Sequence, residues 1–182
     1  MSSTSQVVSL VRMNDSHLAT TCCWLHDSPR LREQVDCLDA PSEEGNRRYW
    51  HSKWQDSRRE DYAIVTGAGN RHIGNCGLCD IDISRQKAQL WIYLGEVFGQ
   101  GAGTIAVTQL LNRGFGALGL ERIYLRVVAS NQRALHFYQK LGFVEEGRFR
   151  RDTLVDGRPM DAICMSILKS EYQAGPEGGI CQ

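Results

Sequence analysis

Hydrophobic positions recur along this chain with two periods. Runs rich in β-branched and aromatic residues predict strands at residues 7–13, 61–65, 72–83, 88–94, 122–128, 143–150 and 160–168. Between them apolar residues return at helical spacing. Asp15-Ser16 offers a cap for a helix carrying Leu18, Cys22 and Leu25, and Asp27-Ser28-Pro29 ends it. Ser42 opens a second helix, on which Tyr49, Trp50 and Trp54 read as core. A third starts near Gly103, lines Val107, Leu110, Leu111, Phe115 and Leu118 along one face, and stops at Gly119. A fourth spans 131–141 and closes at Gly142. Residues 30–41 are charged without a clear period and predict a loop or short helix, while 66–70 and Asp156-Gly157 carry turn chemistry. The order β-α-α-β-β-β-α-β-α-β-β predicts an α/β fold with one mixed sheet flanked by helices.

The 182 residues suffice for one domain and its core, but not comfortably for two. The expected domain covers residues 1–172. The Gly- and Pro-containing residues 173–182 form an expected disordered tail. Lys plus Arg equals Asp plus Glu at 21 each, so no global field points to nucleic acid or a membrane. No apolar run approaches the ~20 residues that span a bilayer, and the polar residues 1–6 lack a signal peptide's apolar region. The expected location is cytoplasmic. Seven scattered cysteines read as free thiols in a reducing compartment. Cys76 and Cys79 form a CxxC, but no second ligand pair follows, and residues three apart on a strand face opposite ways. No metal is expected.

The most informative stretch lies between residues 90 and 104. A strand, Leu90-Trp91-Ile92-Tyr93-Leu94, runs into Gly95-Glu96-Val97-Phe98-Gly99-Gln100-Gly101-Ala102-Gly103-Thr104, where a helix begins. Glycines let successive N–H groups converge on an anion, and the helix start adds roughly half a positive charge. Such a turn suits a phosphate or pyrophosphate, or is a tight βα turn that binds nothing. A nucleotide P-loop is excluded because no Lys follows the glycines. A dinucleotide fold is excluded because Gly99, Gly101 and Gly103 alternate and Glu121 stands at the wrong end of the next strand.

One strand later the chain reads Asn131-Gln132-Arg133-Ala134-Leu135-His136-Phe137-Tyr138-Gln139-Lys140-Leu141-Gly142-Phe143. Gln-Gly-x-Gly after a strand, then Asn-x-x-Ala-x-x-x-Tyr-x-x-x-Gly-Phe, resembles the acetyl-CoA site of the GNAT superfamily of N-acetyltransferases. The likeness is good over 73–168 and looser before it. Within the superfamily the pattern is closest to the branch of ribosomal-protein alanine, spermidine and nucleotide-linked amino-sugar acetyltransferases. Trp24-Leu25-His26-Asp27, Tyr93-Leu94-Gly95-Glu96, Glu145-Glu146-Gly147 and Asp156-Gly157-Arg158 carry that closeness.

The resemblance implies a single GNAT-type domain with a mixed, mostly antiparallel sheet, and acetyl-CoA as cosubstrate. Backbone amides of Gly99, Gln100, Gly101, Ala102, Gly103 and Thr104 would hold the pyrophosphate. Trp91, Ile92 and Tyr93 would lie along the pantetheine arm, with an amide there facing the thioester carbonyl. Asn131 matches a cofactor contact and also reads as a helix cap. Tyr138 matches the acid that protonates the leaving thiolate; otherwise it is a core tyrosine. No family base transfers, since Gln89 and Arg126 stand at its two usual places. Asp80, Asp82, Glu96 and His26 are candidates by residue type, beside a water chain.

On the substrate side Trp24 and His26 are expected to line the amine's entry. Arg30, Arg32, Arg148, Arg150 and Arg151 would either meet an anionic group or decorate the surface. The acceptor expected first is a small-molecule amine on a nucleotide-linked sugar, ahead of a polyamine or a peptide N-terminus. A non-catalytic acetyl-CoA sensor is the reading from another class. A homodimer is a family-level expectation.

Overall fold

The computed structural model describes residues 7–35, 37, 39–67, 69–95, 101–155 and 157–172. Among them seven strands form one sheet: β1 (Val8–Arg12), β2 (Glu60–Thr66), β3 (Arg71–Asp82), β4 (Lys87–Leu94), β5 (Arg122–Val128), β6 (Val144–Val155) and β7 (Arg158–Leu168). The helices are α1 (Leu18–Asp27), α2 (Pro29–Gln34), α3 (Glu43–Trp54), α4 (Ala102–Asn112) and α5 (Gln132–Lys140). The sheet order is β1-β2-β3-β4-β5-β7-β6, and every neighbouring pair is antiparallel except β4 with β5. The mixed, mostly antiparallel sheet is the one expected.

Alternation along β4 sorts the two layers. Ile92 and Leu94 pack into the main core with Ala106, Val107, Leu110 and Leu111 of α4. Trp91 and Tyr93 point the other way, toward Trp24, Leu25, Leu31 and Trp50 of the first three helices. Leu110 is fully buried at the centre of the main core. Leu110→Ala is expected to cost about 2–5 kcal/mol in a denaturant melt, through lost burial plus the cavity left behind.

Several local expectations shift. Asn14, not Asp15, caps the first helical segment, its side chain accepting from the Ser16 amide at 3.0 Å, and a 3-10 turn at Asp15–His17 precedes α1. Pro29 does not only end α1; it opens the short helix α2, where its missing N–H costs nothing. Trp50 is buried and Trp54 half-buried, but Tyr49 is 52% exposed, so it is not core. α4 gives way to a π-helical turn at Arg113–Ala117. β6 reaches Val155, well past residue 150, and nearly all of it is exposed. Its pairing with β7 is interrupted at two bulges, and Arg151 has φ +54°. Such irregularity blunts an edge strand. The tail from 173 lies outside the described residues.

Candidate active site

The site begins with a break in the sheet. β4 and β5 pair only from Lys87 with Arg122 to Gln89 with Tyr124. Beyond that register they separate, and each is held from its outer side alone, β4 by β3 and β5 by β7. The inner edge of β4 from Leu90 to Leu94 therefore has no strand partner. Its backbone groups remain available to an extended ligand, which can add to it as a strand would.

The glycine turn stands at the end of that edge. Gly101 is the N-cap of α4 at φ +79°, a conformation glycine adopts without strain, and no side chain caps the helix. The first amides of α4, those of Ala102, Gly103 and Thr104, have no acceptor inside the helix. They border a cavity of about 490 Å³ that also touches Ile92, Tyr93, Asn131 and Tyr138. Asn131 caps α5, its Oδ1 accepting from the Ala134 amide at 3.2 Å. Cap and cavity wall are thus one residue. Arg30 and Arg133 also border this cavity. Arg133 went unnoticed in the sequence, although it follows Asn131 by only two positions; Arg30, expected on the substrate side, borders this first cavity. Gly99, Gln100 and Glu96 lie outside the described residues.

A second cavity, of about 570 Å³, opens through the gap in the sheet. Tyr49, Trp50 and Trp91 give it an aromatic wall, and Gln89, Arg59, Arg126 and Asp152 its polar lining. Trp91 belongs to this cavity and not to the first, because alternation turns its side chain toward α3. Arg59 grips Asp61 with two nitrogens, at 2.8 and 3.3 Å, and burial is the main influence raising the Asp61 carboxyl. Arg126 holds Asp152 at 3.2 Å. Ile92, Tyr93 and Tyr138 border both cavities.

Tyr138 lies on the inward face of α5, 8% exposed, its ring edge-on to Phe137 and Phe143 at 5.1 and 5.5 Å. Burial pushes its hydroxyl well above the ordinary tyrosine range, and the buried Cys76 adds to the shift. At neutral pH the group carries its proton. It can donate and cannot serve as a base.

Other expectations move away from the site. Trp24 is buried, packed on His72 at 4.6 Å and lying over Gly95, where an added Cβ would come within 1.9 Å of the indole. It lines neither cavity, because α1 turns that side chain under the end of β4. The His26 side chain is 70% exposed and also lines neither. Arg32 caps the end of α1, donating to the carbonyls of Leu25 at 2.6 Å and His26 at 3.0 Å. Arg148 pairs with Asp161 at 3.2 Å, and neither it nor Arg150 or Arg151 borders either of these two cavities. Asp82 organises a turn, accepting from Ser84 Oγ at 2.6 Å and the Arg85 amide at 2.9 Å, and Asp80 is exposed at φ +49°. Neither faces the site, so neither is placed to act as a base. Among the described residues no three His, Cys, Asp or Glu side chains group to hold a metal, and no helix is long and apolar enough to cross a membrane.

A parting strand pair, an uncapped glycine-led helix beside the opening and a buried tyrosine between two cavities make a site shaped for an extended, anionic ligand that reaches a second one through the sheet. A family model described as acetyltransferase (GNAT) domain matches residues 8–144, and the chain belongs to that family. The chain therefore carries an acetyltransferase domain of the GNAT type. Curated relatives include the spermidine N(1)-acetyltransferases of Vibrio cholerae, 34% identical over 110 residues, and Escherichia coli K12, 34% identical over 112. These matches cover 60% and 61% of this chain, and they span 64% and 60% of the relatives' own lengths. A crystal structure of the Vibrio cholerae spermidine N-acetyltransferase in complex with CoA and spermine superposes with a TM-score of 0.83. It covers 91% of this chain and 98% of that one at 24% identity, which establishes a shared fold.

Proposed function

We propose that this protein transfers the acetyl group of acetyl-CoA to a primary amine bound in the second cavity. The observation that carries this is the shared wall of Ile92, Tyr93 and Tyr138, where a donor in one cavity meets an acceptor in the other. In this scheme the amides of Ala102, Gly103 and Thr104, with Gly99, Gln100 and Gly101 before them, hold the pyrophosphate, and Arg30 and Arg133 add charge beside it. Trp91, Ile92 and Tyr93 offer the backbone edge for the pantetheine arm, one amide facing the thioester carbonyl as charge develops on its oxygen. Asn131 steadies the arm. The amine attacks the thioester carbon, the C–S bond breaks, the Tyr138 hydroxyl gives its proton to the departing sulfur, and the proton shed by the attacking nitrogen goes to water, from which the Tyr138 oxygen is reprotonated.

An alkyl ammonium of pKa ~10 must first lose a proton. Asp152 lines the cavity but is held by Arg126. The proton then leaves through water filling the open cavity.

Similarity to the spermidine N(1)-acetyltransferases supports a polyamine acceptor over the amino sugar that the sequence motifs put first. The aromatic wall of Tyr49, Trp50 and Trp91 suits a methylene chain bearing ammonium groups. Thiol release from acetyl-CoA, measured with spermidine, spermine, UDP- and dTDP-linked amino sugars and an Ala- or Ser-ended peptide, tests both levels. The expected result is the highest kcat/KM on a polyamine. Preference for a sugar or peptide overturns the acceptor but keeps the reaction. No turnover with any amine, while CoA still raises Tm, replaces the enzyme with a non-catalytic acetyl-CoA binder. A homodimer is expected on family likeness, and light scattering on the full chain reads the assembly directly.

A further inference from the structure

Behind the shared wall lies a buried polar network. Asn75 stands on β3 directly opposite Tyr93 on β4. It is fully buried, as is Thr21 of α1. Its side-chain N–H groups donate to the Tyr93 hydroxyl at 2.7 Å and to Thr21 Oγ1 at 2.9 Å. Its carbonyl oxygen lies 2.8 Å from His72 Nε2, which must be the donor because an amide oxygen only accepts. Thr21 Oγ1 in turn donates to the His17 carbonyl at 2.9 Å. The network ties β3, β4 and the start of α1 together at one point.

That point is where β4 needs an anchor. In an ordinary sheet an inner strand is held from both sides, but beyond Gln89 β4 has lost β5. Its exposed edge is the surface proposed for the pantetheine arm. We infer that Asn75 is a positioning residue: by fixing Tyr93 it holds the unpartnered segment of β4 where the donor's arm can pair with it. A buried network left partly satisfied is costly, so removing one member should let the strand shift toward other partners.

The inference rests on the proposed donor site, but its test requires no turnover. CoA affinity is measured by calorimetry on Asn75→Leu, Tyr93→Phe and the double variant, below the Tm of each. Each single change is expected to weaken CoA binding about tenfold, the scale of one lost buried hydrogen bond. The double variant should be no weaker than the worse single, since both break one linkage. Gln109→Leu serves as the control; it removes another buried bond, from Gln109 Nε2 to the Val8 carbonyl at 3.0 Å, and should lower Tm while leaving CoA affinity alone. Tyr93→Phe is conservative enough to fold if Asn75→Leu does not. Wild-type affinity in Tyr93→Phe overturns the inference, as does a double variant whose loss equals the product of the singles. If wild-type protein itself fails to bind CoA, the donor site is wrong, and the two failures are separate.

Discussion

Tyr138→Phe is expected to lower kcat by about 10²-fold or more, with CoA affinity changed by no more than a few-fold. The substitution removes one oxygen and keeps the ring, so the edge-on packing against Phe137 and Phe143 should persist. What disappears is the proton donor for the departing thiolate. The sign of the pH effect follows from the raised hydroxyl: its protonated form is the active one, and burial extends that form to higher pH. Tyr138 should therefore contribute no alkaline fall in kcat below pH ~10, the ordinary tyrosine value. Steady-state kinetics across pH, with calorimetry for CoA, would check both. An unchanged kcat would remove Tyr138 from the acid role and leave it as core.

Gly101→Val should weaken CoA binding by tenfold or more, and more than Gly103→Val. The two glycines are needed for different reasons. At Gly101 a Cβ would meet nothing within 4 Å, so crowding is not the obstacle. The obstacle is φ +79°, which a β-branched residue adopts only at a cost of order 1–3 kcal/mol. Relief comes from moving the turn, which re-aims the uncapped amides of α4. At Gly103 the backbone is ordinary, and a Cβ would sit 3.6 Å from the Phe137 ring in van der Waals contact. There the branched methyl groups of valine intrude on the cavity without straining the chain. Isothermal titration with CoA separates the cases, and normal affinity in both variants would sink the phosphate cradle.

The legible parts of this protein were those where chemistry is local. Alternation in 88–94 and 122–128 showed the strands, and the glycines before Thr104 showed a turn opening a helix, because turn conformations and helix starts depend on neighbours in sequence. Asn131 and Tyr138 stood out by their match to a motif of the resembled family, and their relative placement survives folding because one helix carries both its cap and its face. Trp24 and His26 were less legible. An aromatic at the end of a helix reads the same whether it borders a pocket or lies under a strand, and only the packing of α1 over Gly95 decides. Arg30 and Arg133 are far apart in the chain, and only the fold brings them to one cavity.

The sequence by itself determined the fold class, and its two short motifs carried the resemblance that pointed to the family and its donor. The tertiary structure alone decided that β4 and β5 part after Gln89, that two cavities meet at Ile92, Tyr93 and Tyr138, and that Asn75 bonds the Tyr93 hydroxyl behind the free edge. The physical reason is that strand pairing and cavity lining join residues distant in sequence, and no local period records which of them will meet.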